Sequence, residues 1–148
     1  MTNPAVEIDE PNPSRNWEMV YVSDPSNVAD YDFDPGDPRP LITSQPATST
    51  ELDRFIDHVA TSNADVFVQE VYNAGWTMYF RSEHFEYDAR HQHRRFLPMM
   101  DEGIMPVQVM LERCRTRDMR FLAGFRVNDP HGAPNQGAMF LHLSLIHI

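Results

Sequence analysis

FLAGFRVNDPHG, residues 121–132, starts as an apolar strand and ends in Arg126, Asn128, Asp129 and His131. Its apolar part belongs to MRFLAGFRV at 119–127, read as a strand. In a strand, residues of one parity share a face, so Arg126 and Asn128 point the same way. Polar groups at the carboxyl end of a parallel strand stand where α/β folds bind ligands. The four residues are therefore candidates to anchor a polar, hydroxyl-rich ligand, with Asp129 a candidate acid, base or acceptor. A plainer reading is open at this point: Asn128 and Asp129 with Pro130 and Gly132 form a turn, and Arg126 makes a salt bridge.

Upstream, ADVFVQEVY at 64–72 is a short, largely apolar run, the pattern of a strand buried on both faces of a parallel sheet. It passes through Gln69 and Glu70, of which alternation lets only one face inward. Glu70 is a candidate acid or base, or else the partner of an arginine such as Arg126. Between and before these runs lie two helix patterns. Thr48 and Glu51 form a capping-box pair ahead of Leu52, Phe55, Ile56 and Val59, which fall on one stripe. Pro106 opens the second helix, with Val107, Met110, Leu111 and Cys114 at the same spacing. WEMVYVS at 17–23 supplies the first strand.

The order is strand, helix, strand, helix, strand: an α/β fold built as a parallel βαβαβ unit. Connections from helix to strand are short. Those from strand to helix are long: residues 24–46 hold five prolines and five aspartates, and about thirty aromatic-rich residues follow the second strand. Elaborated loops after the strands are the habit of a (β/α)8 TIM barrel. A doubly wound dinucleotide fold would place a glycine-rich turn after the first strand, where SDPSNVADYD stands instead. Three strands do not close a barrel of about 250 residues, so the chain is expected to be the N-terminal part of one. As such it would behave poorly alone, with open sheet edges and an uncovered face.

The segment boundaries expected are a disordered, proline-rich N-terminal arm over 1–14, a partial TIM-barrel catalytic-type domain over 15–142, and a tail over 143–148. That tail, LSLIHI, resembles the translation of a transposase adapter used in sequencing libraries. A net charge of −10 argues against nucleic acid or an anionic membrane as partner. All twelve basic residues are arginine, which excludes a lysine Schiff base in this segment. One cysteine, Cys114, cannot form an internal disulfide and is expected in the core. The opening MTNPAVEIDEPNPSRN has neither the basic nor the apolar region of a secretory signal, and no run is long enough to span a membrane.

Trp76, Tyr79, Phe80, Phe85 and Tyr87 crowd the loop after the second strand. Trp76 and Tyr79 are expected to contact ligand, since aromatic faces stack on sugar rings, and Phe80 and Phe85 to form a small core that holds the loop down. His84, His91 and His93 lie among arginines, which disfavour a cation; no metal and no cofactor are expected.

The run from Ala64 to Gly132, with VFVQEVYNAG and then DEGIMPVQVMLERCRTRDMRFLAGFRVNDPHG, resembles the N-terminal barrel half of glycosyl hydrolase-like proteins. It covers roughly half the chain, and its distinctive parts are VFVQ and RVNDPHG. The resemblance implies a (β/α)8 barrel acting on, or binding, carbohydrate at the strand carboxyl ends, with the catalytic carboxylates on later strands, beyond His142. Two alternatives stand beside hydrolysis: a non-catalytic carbohydrate-binding barrel, and a metal-dependent barrel hydrolase using the histidines.

Overall fold

The computed structural model describes residues 19–29, 31–32, 41–42, 45–73, 75–89 and 91–126. In chain order these form β1 (Val20–Ser23), α1 (Pro25–Ala29), β2 (Tyr31–Asp32), β3 (Leu41–Ile42), α2 (Ser49–Thr61), β4 (Val66–Asn73), β5 (Trp76–Thr77), β6 (Glu86–Tyr87), a 3₁₀ turn (His91–Phe96), α3 (Leu97–Asp101), α4 (Pro106–Thr116) and β7 (Arg120–Arg126). The fold is α/β. β1 and β7 both pair parallel to β4, so the three long-range strands stand side by side in chain order. β5 adds to β4 as an antiparallel hairpin and β6 follows it, while β2 and β3 form a separate two-stranded ladder.

One row of rings decides which face of the sheet is inside. Tyr21, Phe67 and Phe121 are register partners on β1, β4 and β7, and directly opposed side chains share a face. Tyr21 stacks on Phe67 at 5.9 Å, Phe121 lies 5.9 Å beyond, and Phe55 of α2 packs edge-on over Phe67 at 6.0 Å. The stripe Leu52, Phe55, Ile56 and Val59 is buried here, as are Met110 and Cys114 of α4. Burial pushes the Cys114 thiol up to about 12, so it stays protonated at neutral pH.

Both helices therefore cover one face, and α2 is tied to α4 through Asp57, whose carboxylate accepts from Arg113 at 2.6 Å and from Arg117 at 2.7 Å. The opposite face is open: Val20, Val22 and Leu122 are 53, 60 and 46% exposed. The expectation of a strand buried on both faces holds only in part for β4. Its helix-side residues Phe67 and Gln69 are fully buried; on the other side Val66 is buried too, whereas Val68 and Glu70 are half-buried.

The short helix-to-strand connections share one device. α2 and α4 are each followed two residues on by an Asn or Asp in the left-handed region, Asn63 at φ 60° and Asp118 at φ 54°. At α4 the Met119 amide donates to Cys114 O at 2.9 Å and the Asp118 amide to Arg115 O, a Schellman-type stop. The buried Ala64 and Met119 come next and lead straight into β4 and β7.

The long connections carry more structure than their composition suggests. Residues 24–46, expected as a loop, hold α1 and the β2–β3 ladder, and the aromatic-rich segment holds β5, β6, the 3₁₀ turn and α3. Arg95, 3% exposed, binds these parts together. Its guanidinium donates to Gln45 O at 2.9 Å, to Ala29 O at 3.3 Å, to Val28 O at 3.4 Å and to the Glu51 carboxylate at 2.7 Å. Of the expected capping box, the Thr48 hydroxyl accepts from the Glu51 amide at 3.2 Å, and the Glu51 carboxylate is taken up by Arg95.

Two outcomes follow for stability. Arg95→Ala leaves a buried Glu51 carboxylate and three carbonyls without this donor, and is expected to cost about 3–5 kcal/mol in chemical denaturation; a double variant with Glu51→Gln should lose less than the two single losses added. Arg113 and then Arg117 hold the Asp57 carboxyl well below the ordinary carboxylate range. A depressed folded-state value means that its stabilisation is present at neutral pH and is lost as pH falls from about 5. Denaturation midpoints followed down to pH 3 should fall less steeply for Asp57→Asn than for the parent.

Candidate functional site

The open face changes character along the strands. Its rows run Val20, Val66, Arg120 and then Val22, Val68, Leu122. Beyond these, Glu70 faces Gly124, and Asp24, the residue after β1, comes next to them. Arg126 closes this end: its guanidinium donates to Glu70 at 2.6 Å and to Asp24 at 3.4 Å. The amino-terminal part of the face is apolar except for Arg120, and charged residues gather at the carboxyl end of the parallel strands, where α/β proteins bind ligands.

Each member is placed by something local. Asp24 accepts at Oδ1 from the Ser26 amide at 2.9 Å and the Ser26 hydroxyl at 2.6 Å, an Asx turn that opens α1. Burial opposes its ionisation, but the two Ser26 bonds and Arg126 outweigh that, and its carboxyl titrates below the ordinary value. Glu70 crosses towards β7 because Gly124 has no side chain. A Cβ on Gly124 would lie 3.3 Å from Gln69 O, 3.3 Å from Glu70 Cα and 3.4 Å from Glu70 Cγ.

β4 then bulges. Glu70 pairs with Gly124 but Tyr72 pairs with Phe125, so Val71 is the extra residue. The shift resets the alternation, and Asn73 comes opposite both Arg126 on β7 and Trp76 on β5. Trp76, Asn73 and Arg126 therefore form a row across the end of the open face.

Among the expected site residues, Glu70 and Arg126 come into contact, and Trp76 lies in the same row as Arg126 with Asn73 between them. The Glu70–Arg126 ion pair is the plainer of the two readings of Glu70, and it forms the centre of the polar cluster. Tyr79 does not join them. It is fully buried, its hydroxyl donates to Pro25 O, and its ring packs on Phe96 at 5.1 Å and near His93 at 6.1 Å. Its expected ligand contact is replaced by anchoring of the loop: the packed ring and bonded hydroxyl hold the backbone at φ 69°. Phe85, expected in a small core, is instead 47% exposed and meets Tyr72 edge-on at 5.2 Å. Phe80 packs against the core as expected. Asn128, Asp129 and His131 lie outside the described residues, as do the arm 1–14 and the tail 143–148.

Asp24 and Asn73 were not singled out from the sequence. Asp24 carries the signal of an Asx-Pro-Ser turn after a strand, whereas Asn73 depends on a bulge that no periodicity announces. His84 is exposed, and the partly buried His93 has its Nδ1 3.3 Å from the buried Asp88 carboxylate. Among the described residues no three His, Cys, Asp or Glu side chains come together as metal ligands, and no helix is long and apolar enough to cross a membrane.

Gly124→Ala should be destabilising by about 1–3 kcal/mol, because backbone atoms crowd the new methyl group. Urea denaturation checks this, and an unchanged midpoint would mean that β7 can move away from Glu70 without cost. No protein-family model matches the chain, and no curated protein or solved structure matches it.

Proposed function

We propose that the chain is the N-terminal part of a glycosyl hydrolase-like (β/α)8 barrel that binds carbohydrate at the carboxyl ends of its strands. The observation that carries this is the division of the sheet: parallel strands in chain order, both crossing helices on one face, and on the other two rows, apolar except for Arg120, that end in Asp24, Glu70 and Arg126. In a closed barrel the open face becomes the packed interior and the charged end its mouth. The first half of a doubly wound sheet would also keep two crossing helices on one face; what speaks against it is the first turn, SDPSNVADYD, which lacks the glycine-rich pattern.

Hydroxyl-rich ligands suit the cluster's chemistry. Arg126 supplies donors and the two carboxylates acceptors. Glu70 Oε2 is buried and accepts from no donor among the described residues, the kind of group that calls for an explanation; a ligand hydroxyl is one that fits. The cluster favours binding over bond cleavage, since both carboxylates are held by Arg126. On this reading any hydrolytic acid and nucleophile belong to strands beyond β7, and a purely carbohydrate-binding barrel would use the same anchors.

The test is calorimetric titration of the complete gene product with soluble oligosaccharides, alongside Arg126→Ala. Loss of charge-assisted hydrogen bonds should weaken binding about tenfold or more. No binding to any sugar, or unchanged affinity in Arg126→Ala, would contradict the reading.

A further inference from the structure

We infer that β5, where it pairs with the end of β4, is a platform on which Trp76 stacks one ring of the carbohydrate, beside Asn73 and the Glu70–Arg126 pair. This rests on the carbohydrate reading above and adds to it the subsite and the feature recognised: a flat sugar face of C–H bonds bordered by hydroxyls.

Three observations support it. First, the bulge at Val71 turns Asn73 to the open face, and register then sets Trp76 beside it, in a row with Arg126. Bulges beside functional sites serve to re-aim a side chain. Trp76 is partly exposed there, while the next three residues, Thr77, Met78 and Tyr79, are buried.

Second, the hairpin is over-determined. Gly75 takes φ 96° at its turn, Met78 N donates to Val71 O at 2.8 Å, Asp88 N to Thr77 O at 2.9 Å, and Val107 N to Tyr79 O at 3.0 Å. Tyr79 itself, a bulky residue at φ 69°, keeps this backbone only because its ring and hydroxyl are fixed in the core. Strain held in this way is found near functional sites, and here it ends three residues from Trp76.

Third, the row joins an aromatic face to an amide and an ion pair. That combination reads an amphipathic ring: the indole meets the C–H face, and Asn73, Arg126 and Glu70 meet hydroxyls at its rim. A binding surface of charges alone would favour an ionic ligand and would not need Trp76.

The experiment is calorimetric titration of the complete gene product with cellohexaose, maltohexaose, xylohexaose and chitohexaose, using Trp76→Leu, Trp76→Phe and Arg126→Ala. Leucine keeps apolar bulk without a π face; phenylalanine keeps the face. The expected result is binding of at least one sugar, weakened roughly tenfold in Trp76→Leu and about threefold or less in Trp76→Phe. If Trp76→Leu binds like the parent while Arg126→Ala is weakened, the platform is overturned and the carbohydrate reading stands. If the parent binds none of the four, both are overturned.

Discussion

The structure depends on the aromatic row Tyr21–Phe67–Phe121 under Phe55. Once Phe67 is buried beneath α2 and α4, alternation leaves no freedom to the rest of β4 up to its bulge: Gln69 turns to the helices, and Val68 and Glu70 to the open side. The neighbours follow through register. Val22 and Leu122 flank Val68, and Gly124 stands opposite Glu70. One packing decision thus produces both the core and the polar cluster, on opposite faces of the same strands.

The connections divide the labour. Helix-to-strand turns are short and similar, each with a left-handed Asn or Asp, and they set the sheet's amino-terminal edge. Strand-to-helix segments are long and fastened from within, by Arg95 across Glu51 and three carbonyls and by Tyr79 against Pro25 and Phe96. The described parts of these loops are held by buried groups, and a preorganised backbone of that kind lowers the cost of binding.

The sequence reveals the fold's five main elements because each carries a period: apolar stripes at helical spacing and short apolar runs bounded by turn residues. Glu70, Arg126 and Trp76 are legible as candidates from their places near strand ends. Tyr79 is misread because nothing in YNAGWTMYF shows which ring turns inward; the positive φ that decides it comes from tertiary packing. Phe85 is misread for the converse reason, since its partner Tyr72 sits past a bulge at the sheet's margin. The inner structure of residues 24–46 and 78–101 is illegible because their elements run two to six residues, too short for any period, and are held by long-range bonds such as those of Arg95.

The central claim is that the open face becomes the interior of a larger barrel. Its most direct test is cysteine labelling at Val22 and Leu122, introduced singly into the complete gene product and read by peptide-resolved mass spectrometry with a water-soluble thiol reagent. Cys114 is buried and its thiol protonated, so it adds no background within this chain. The account predicts that both new cysteines stay unmodified in the native protein and react once it is unfolded. Rapid native labelling at both positions would mean that the face meets solvent, and the barrel reading would fall.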